Sequence, residues 1–383
     1  MIAQKGKDKV LNGVIGSLLD DDGNLLILDS VAEENKKLNA RDFFEYAPIK
    51  GLPDYRKAVV KDLFREYKPK RFVEAVATTG GTGTISSAIS NYTKRNDQVL
   101  TSNWYWTPYS SLCRQQERRL VTFDFFKGDG TFNIEGMAEK IKEMAKSQGR
   151  LLILLNSPCH NPTGYSLSEY DWDKLIKALN DPEISKTSIT LLVDVAYLEF
   201  SGDLVESRKF LSKLDRLNDN VLTLIAYSAS KSYTAYGART GALICMAPNR
   251  EVVDEFVRVT EYSCRNTWSN SPRAGQTIVA NIWKSKEKIA RVDAERRAFR
   301  DLLRRRGEAF EKEAKNLGLE VVPFKAGFFT CIACDNPNKV SMSLEEKGAF
   351  VLPLAQGIRV SIASLSEEKA IKMARLIAEV LNS

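Results

Sequence analysis

Val221-Leu222-Thr223-Leu224-Ile225-Ala226-Tyr227-Ser228-Ala229-Ser230-Lys231-Ser232-Tyr233 is an apolar run that ends abruptly in serines and one lysine. Its first seven residues carry apolar side chains at both odd and even positions, so a strand built from them is covered on both faces. Working outward, Phe72–Ala77, Gln98–Ser102, Leu120–Asp124, Leu151–Asn156, Thr190–Val195 and Gly241–Met246 also read as strands, several of them apolar on both faces. Helical patterns lie between, such as Ser168–Leu179, with Ser168 as N-cap and Trp172, Leu175 and Leu179 at helical spacing. This alternation predicts an α/β domain around a mostly parallel central sheet.

Beyond about residue 280 the texture changes. One long charged helical pattern, Glu287–Gly318, precedes short strand candidates at Leu319–Pro323, Phe328–Ala333 and Gly357–Ile362, and a terminal helix, Glu367–Leu381. A chain of 383 residues exceeds one ordinary hydrophobic core. The expected division is a large domain over residues 46–285 and a smaller α+β domain made from 1–45 and 286–383.

Composition narrows the function classes. The net charge of +7 comes from interspersed basic and acidic residues, which favours anionic ligands without indicating nucleic acid. The densest basic cluster, Arg300–Arg306, is followed by Glu308, Glu311 and Glu313 and reads as a solvated helix face. No apolar stretch reaches the roughly 18 residues needed to span a bilayer, and the first residues lack a signal-peptide core. A cytoplasmic protein without membrane contact is expected. Six scattered cysteines do not form a disulfide framework. Cys331 and Cys334 fall in a strand pattern that sends them to opposite faces, and His160 is the single histidine, so no metal site is expected.

The lysine that closes the opening stretch stands eight residues before Arg239, and Asp194-Val195-Ala196-Tyr197 ends the preceding strand candidate. A lysine amine becomes a nucleophile towards an aldehyde when it is held partly desolvated. Pyridoxal 5′-phosphate (PLP) supplies that aldehyde and makes three further demands. Its phosphate needs cationic, amide or hydroxyl donors, its ring nitrogen needs a carboxylate, and its phenolic oxygen needs hydrogen-bond donors. Arg239, Asp194 and Tyr197 are residues of the required types.

Other stretches admit two readings each. Thr78–Ser86, with Gly80, Gly81, Thr82 and Gly83, is a phosphate cradle at a helix start or only a glycine-rich turn. Asn156–Gly164 is a tight turn at a strand's carboxyl end, chosen for geometry or for the Asn161 amide. Trp104, Tyr105 and Trp106 form a stacking platform or a core patch. Arg359 alternates with Val and Ile in Gly357–Ile362, and its fork suits either a ligand carboxylate or a structural salt bridge.

Taken in order, Thr79-Gly80-Gly81-Thr82-Gly83, Cys159-His160-Asn161-Pro162-Thr163-Gly164, Asp194-Val195-Ala196-Tyr197, Ser228-Ala229-Ser230-Lys231 with Arg239, and Ser269-Asn270-Ser271-Pro272 resemble the class I aminotransferases. The resemblance is to the aspartate and aromatic amino acid branch of PLP fold type I, and it runs from about Gly16 to near the C-terminus. It implies that Lys231 bonds the cofactor and moves the α-proton, and that Asp194 pairs with the ring nitrogen. It further implies that Tyr197 and Asn161 hydrogen-bond the phenolic oxygen. Gly81, Thr82, Ser228 and Arg239 would bind phosphate, and Trp106 would stack on the ring. Arg359 would take the substrate's α-carboxylate, with Trp106 and Asn161 flanking it.

Tyr46 and Arg265 match positions that serve the neighbouring subunit, the first at the phosphate and the second at a dicarboxylate's distal end. A homodimer with shared sites follows from the resemblance. Two departures stand out: Tyr109 and Asn156 occupy positions where the branch commonly has histidine. The implied reaction is transamination between an aspartate-, glutamate- or aromatic-type amino acid and a 2-oxo acid. Two rival readings are a PLP-dependent β-lyase or decarboxylase of the same fold, and a non-catalytic PLP- or effector-binding regulatory protein.

Overall fold

The computed structural model describes residues 10–382. After a two-residue strand, β1 (Leu11–Asn12), the chain builds β2 (Phe72–Thr79), β3 (Gln98–Ser102), β4 (Arg119–Phe123), β5 (Arg150–Asn156), β6 (Ser188–Asp194), β7 (Val221–Ser228) and β8 (Thr240–Ala247). These seven form one sheet in the order β2-β8-β7-β6-β5-β3-β4, and β8 alone runs antiparallel to its neighbours. The mixed α/β architecture with its mostly parallel sheet is the one expected from the sequence.

Alternate side chains of the central strands enter different cores. Ile153, Leu191, Val193 and Ile225 pack on one face, while Leu152, Leu154, Leu192 and Leu224 pack on the other. That strict alternation explains why these strands are apolar at every position: helices cover both faces. The helix Glu169–Leu179 begins with the capping box of Ser168 and Asp171, as its sequence signals.

A third core gathers Leu11, Phe310, Ile332, Leu344, Ile358, Met373 and Ile377. It lies among the three-stranded antiparallel sheet of β9 (Phe329–Ala333), β11 (Leu352–Leu354) and β12 (Gly357–Ser361), the pair β1 and β10 (Ala349–Phe350), and the helix Glu367–Leu381. The 31-residue helix Lys286–Asn316 connects the two cores: Val292 packs with the large sheet and Phe310 with the small one.

Two expectations need correction. Leu319–Pro323 is not a regular strand; it runs beside the edge of β9 that β12 leaves free, through the isolated bridge Val321 to Ile332 and the bonds from Val322 N to Cys331 O and from Ala333 N to Glu320 O. Arg300–Arg306 is not a wholly solvated face. Arg306 is fully buried, donating to the Leu19 and Ala363 carbonyls and to Asp21, so this arginine clamps the N-terminal segment to the long helix. A charge at a buried helix position reads the same as a surface charge until its partners, here far away in sequence, are known.

Candidate active site

The functional residues collect where the parallel strands end. Asn156 closes β5, Asp194 closes β6 and Ser228 closes β7; Thr240 opens antiparallel β8 at the same edge, which brings Arg239 there. Ligands of open α/β sheets gather at this edge. A cavity of about 250 Å³ lies here, lined by Gly81, Thr82, Trp106, Asn161, Asp194, Tyr197, Ser228, Lys231 and Arg239 among others. Nine positions singled out in the sequence therefore face one space.

The end of the cavity beside Arg239 is shaped by missing side chains. A Cβ on Gly241 would come within 2.6 Å of the Gly80 carbonyl carbon, and one on Gly80 within 2.6 Å of an Arg239 nitrogen. These glycines let the start of the helix Gly80–Tyr92 press against β7 and β8, with its free amides aimed into the cavity beside Ser228. Arg239 adopts the left-handed conformation, φ +46°, which costs a non-glycine residue about 1 kcal/mol. Its guanidinium donates to Tyr236 O at 2.9 Å and Ser230 Oγ at 3.3 Å, and it has no carboxylate partner among the described residues. A cation held by neutral acceptors is ready for an anion.

Lys231 sits in the short helix Ala229–Ser232. Burial, then the charges of Arg239 and Arg359, pull its pKa down to about 8, against the opposing pull of Asp194. Its Nζ lies over the rings of Tyr236 at 4.8 Å and Tyr197 at 5.9 Å. An amine with this pKa carries a far larger neutral fraction near physiological pH than an ordinary lysine, and that fraction is nucleophilic and basic. Opposite it, Asp194 accepts from Tyr109 Oη at 2.8 Å and from the Ala196 amide at 3.1 Å.

Asn161 is fixed through its backbone N–H, which donates to Asn156 Oδ1 at 2.6 Å. Its side chain receives Arg359 Nη1 at 3.2 Å and donates to Tyr197 Oη at 3.4 Å. Arg359 lies on β12, 8% exposed, over the Phe329 ring at 4.1 Å. Its Nη2 donates to Val14 O, its buried Nε has no partner, and no carboxylate pairs with it among the described residues. The salt-bridge reading of Arg359 therefore gives way: the guanidinium is an unpaired buried cation, and burial lowers its pKa.

Of the three aromatics after β3, only Trp106 lines the cavity; Trp104 and Tyr105 pack into cores on opposite sides of the sheet. Tyr46 and Arg265 do not line it. Tyr46 is 80% exposed, and Arg265, near the end of the helix Arg250–Thr267, is also exposed. A chain of contacts joins them: Arg265 donates to Ser269 Oγ at 2.6 Å, Ser269 to Asn270 Oδ1, and Asn270 to Ala47 O at 2.6 Å.

Sequence reading did not single out Ser230 or Tyr236 as site residues. Ser230 alternates with Ser228 beside Lys231, a spacing that offers two hydroxyls to one anion. Tyr236 carries no signal of its own, because its partners are Lys231 and the Leu18 amide 218 residues away.

A nucleophilic lysine, a buried carboxylate, a phosphate cradle with a free arginine and an aromatic wall match the donor set that PLP requires. The family described as aminotransferase class I and II matches residues 9–377, and the chain belongs to it. It is a PLP-dependent aminotransferase. An aminotransferase of known structure from Anaerococcus prevotii DSM 20548 is 39% identical, with a TM-score of 0.96 over 100% of this chain and 93% of that one. The aromatic-amino-acid aminotransferase of Paracoccus denitrificans is 27% identical over 378 residues, 96% of this chain and 91% of its own length. The cytoplasmic aspartate aminotransferase of Schizosaccharomyces pombe is 28% identical over 294 residues, 74% and 69% respectively.

Proposed function

We propose that this chain moves the amino group of a dicarboxylic or aromatic L-amino acid to a 2-oxo acid such as 2-oxoglutarate, with Lys231 as its catalytic amine. The unpaired, buried guanidinium of Arg359 carries this reading. Such a cation is costly to keep unless a ligand carboxylate completes it, and every α-amino and 2-oxo acid brings one.

When bound, the cofactor supplies an aldehyde for the amine and an electron-withdrawing ring that makes the substrate's α-proton removable. Lys231, in its neutral form, would take that proton from the α-carbon and deliver it to the carbon on the other side of the amino nitrogen. Asp194 balances positive charge on the ring nitrogen, Tyr197 and Asn161 donate to the phenolic oxygen, and Trp106 covers the ring. Gly81, Thr82, Ser228 and Arg239 hold the phosphate, while Arg359, positioned by Asn161 and Val14, orients the α-carboxylate so that the α-proton faces Lys231.

The exposure of Tyr46 and Arg265, and their joint surface, support a homodimer in which the partner subunit's Tyr46 reaches the phosphate and the partner subunit's Arg265 reads the distal carboxylate. The separate small core supports a two-domain division, 46–285 against 1–45 with 286–383, of which residues 1–9 and 383 lie outside the described residues. At its joints Leu28, Val31 and Val292 pack on the large core. No helix of the described residues is long and apolar enough to cross a membrane, and a cytoplasmic location fits that observation.

Steady-state kinetics on two variants test the assignment. Arg359→Ala lowers kcat/KM for every substrate by about a hundredfold or more, the usual cost of stripping one partner from a buried charge pair. Arg265→Ala lowers it for aspartate and glutamate while sparing tyrosine; equal losses would remove Arg265 from the distal site. Pyruvate and ammonia released without any oxo acid would favour the lyase reading.

A further inference from the structure

We propose that Tyr109 is a positioning residue of this aminotransferase: its phenol fixes the Asp194 carboxylate and the Trp106 ring as one unit, and so sets how strongly the site grips the cofactor's ring nitrogen. The inference rests on the reading of Asp194 as that nitrogen's partner.

Tyr109 is 1% exposed and Asp194 7%. The phenol donates to Asp194 Oδ2 at 2.8 Å, and the Ala196 amide donates to Oδ1 at 3.1 Å. The second donor is local, two residues along the chain, and orients one oxygen only. Tyr109 is the sole described donor to Oδ2, and it comes from a different element 85 residues away. Deleting it would leave a buried carboxylate oxygen unsatisfied and the carboxylate free to rotate about its remaining bond.

The same ring meets Trp106 edge-on, with centroids 5.6 Å apart and planes at 90°. Trp106 lies in the short link between β3 and the helix Pro108–Gln115, and Tyr109 is the second residue of that helix. One side chain thus ties the aromatic wall to the acid at the end of β6. A neutral donor brings no charge of its own, so the full negative charge of Asp194 remains available to the ring nitrogen. Burial, reinforced by the neighbouring carboxylate, pushes the Tyr109 phenol pKa well up, so it stays protonated and donating.

Cofactor binding tests this without reference to turnover. Cofactor-free full-length protein is titrated with PLP and with its carbocyclic analogue, in which the ring nitrogen is replaced by C–H, and the two dissociation constants are compared. The unmodified protein prefers PLP, and Asp194→Ala abolishes that preference. Tyr109→Phe weakens PLP binding about tenfold, the scale of a lost charge-assisted hydrogen bond, while leaving the analogue's affinity unchanged. Tyr109→His, which restores an N–H donor, recovers most of the preference. A Tyr109→Phe protein that keeps the full preference, or that loses affinity for both compounds alike, overturns the proposal. Absence of any preference in the unmodified protein overturns the Asp194 reading and the proposal with it, an outcome distinct from failure at Tyr109 alone.

Discussion

At the residue scale, two buried bases are shifted towards their neutral forms by their surroundings, and each has a measurable pH signature. Lys231 is pulled down to about 8, so its modification by an amine reagent in the cofactor-free protein should half-saturate near pH 8. A midpoint near 10.5, its ordinary value, would contradict the desolvated amine. Asp194→Asn should move the midpoint lower still, because Asp194 is the neighbour that favours the charged form. His160 is held neutral, its ring stacked on Phe125 at 4.5 Å and bonded to Thr163 Oγ1 at 2.9 Å. Burial pushes it down to about 3 from 6.5, so unfolding between those values takes up a proton. Its contribution is complete above pH 6.5 and is lost as pH falls towards 3. The gap in unfolding free energy between the unmodified protein and His160→Gln should therefore narrow by about 1.4 kcal/mol per pH unit below about 6. Urea titrations between pH 5 and 7.5 would show it, and a constant gap would refute it.

At the element scale, the site depends on how closely one helix start approaches two strand ends. Gly241→Ala places a methyl against the Gly80 backbone and should weaken PLP binding at least about tenfold, since backbone cannot yield as a flexible side chain does. Gly128→Ala, with nothing within 4 Å, is the control and should leave the affinity unchanged. Legibility in the sequence follows the same division. Strands β2 to β8 and the helix Glu367–Leu381 were legible because their apolar periodicity is local, and Lys231, Asp194 and Arg239 because each stands at or just beyond the end of such a strand. What distant partners decide was not legible. The burial of Arg306 and the bond from the Leu18 amide to Tyr236 depend on contacts that no window of sequence contains.

At the scale of the whole molecule, a buried charge network backs the site. Arg65, Arg208 and Arg296 face Asp62, Glu199 and Asp293, and Tyr227 and Tyr233 donate to Asp62 at 2.6 and 2.9 Å. Glu199 stands two residues after Tyr197 and Tyr233 two after Lys231, so the network anchors both site segments to the helices Pro53–Phe64 and Lys286–Asn316. Arg296→Met removes one of the two arginines paired with Asp62, leaving Arg65 and the two tyrosines, and should cost about 1.5–3 kcal/mol in denaturant unfolding. The proposed dimer has its own test. Mixing inactive Lys231→Ala chains with Arg265→Ala chains should restore about a quarter of the dicarboxylate activity, because half the dimers then hold one intact composite site. No recovery would place Arg265 in its own chain's site or outside any.

The central claim is that Lys231 passes an amino group between acids that Arg359 holds. Holoenzyme incubated with L-aspartate, L-glutamate or L-tyrosine alone, without an oxo acid, is quenched, and its cofactor and products are quantified by mass spectrometry. The account predicts pyridoxamine phosphate and the matching 2-oxo acid in equal amounts, up to one equivalent per chain, and neither product from Lys231→Ala. Ammonia in place of pyridoxamine phosphate, or unchanged cofactor with all three amino acids, would contradict it.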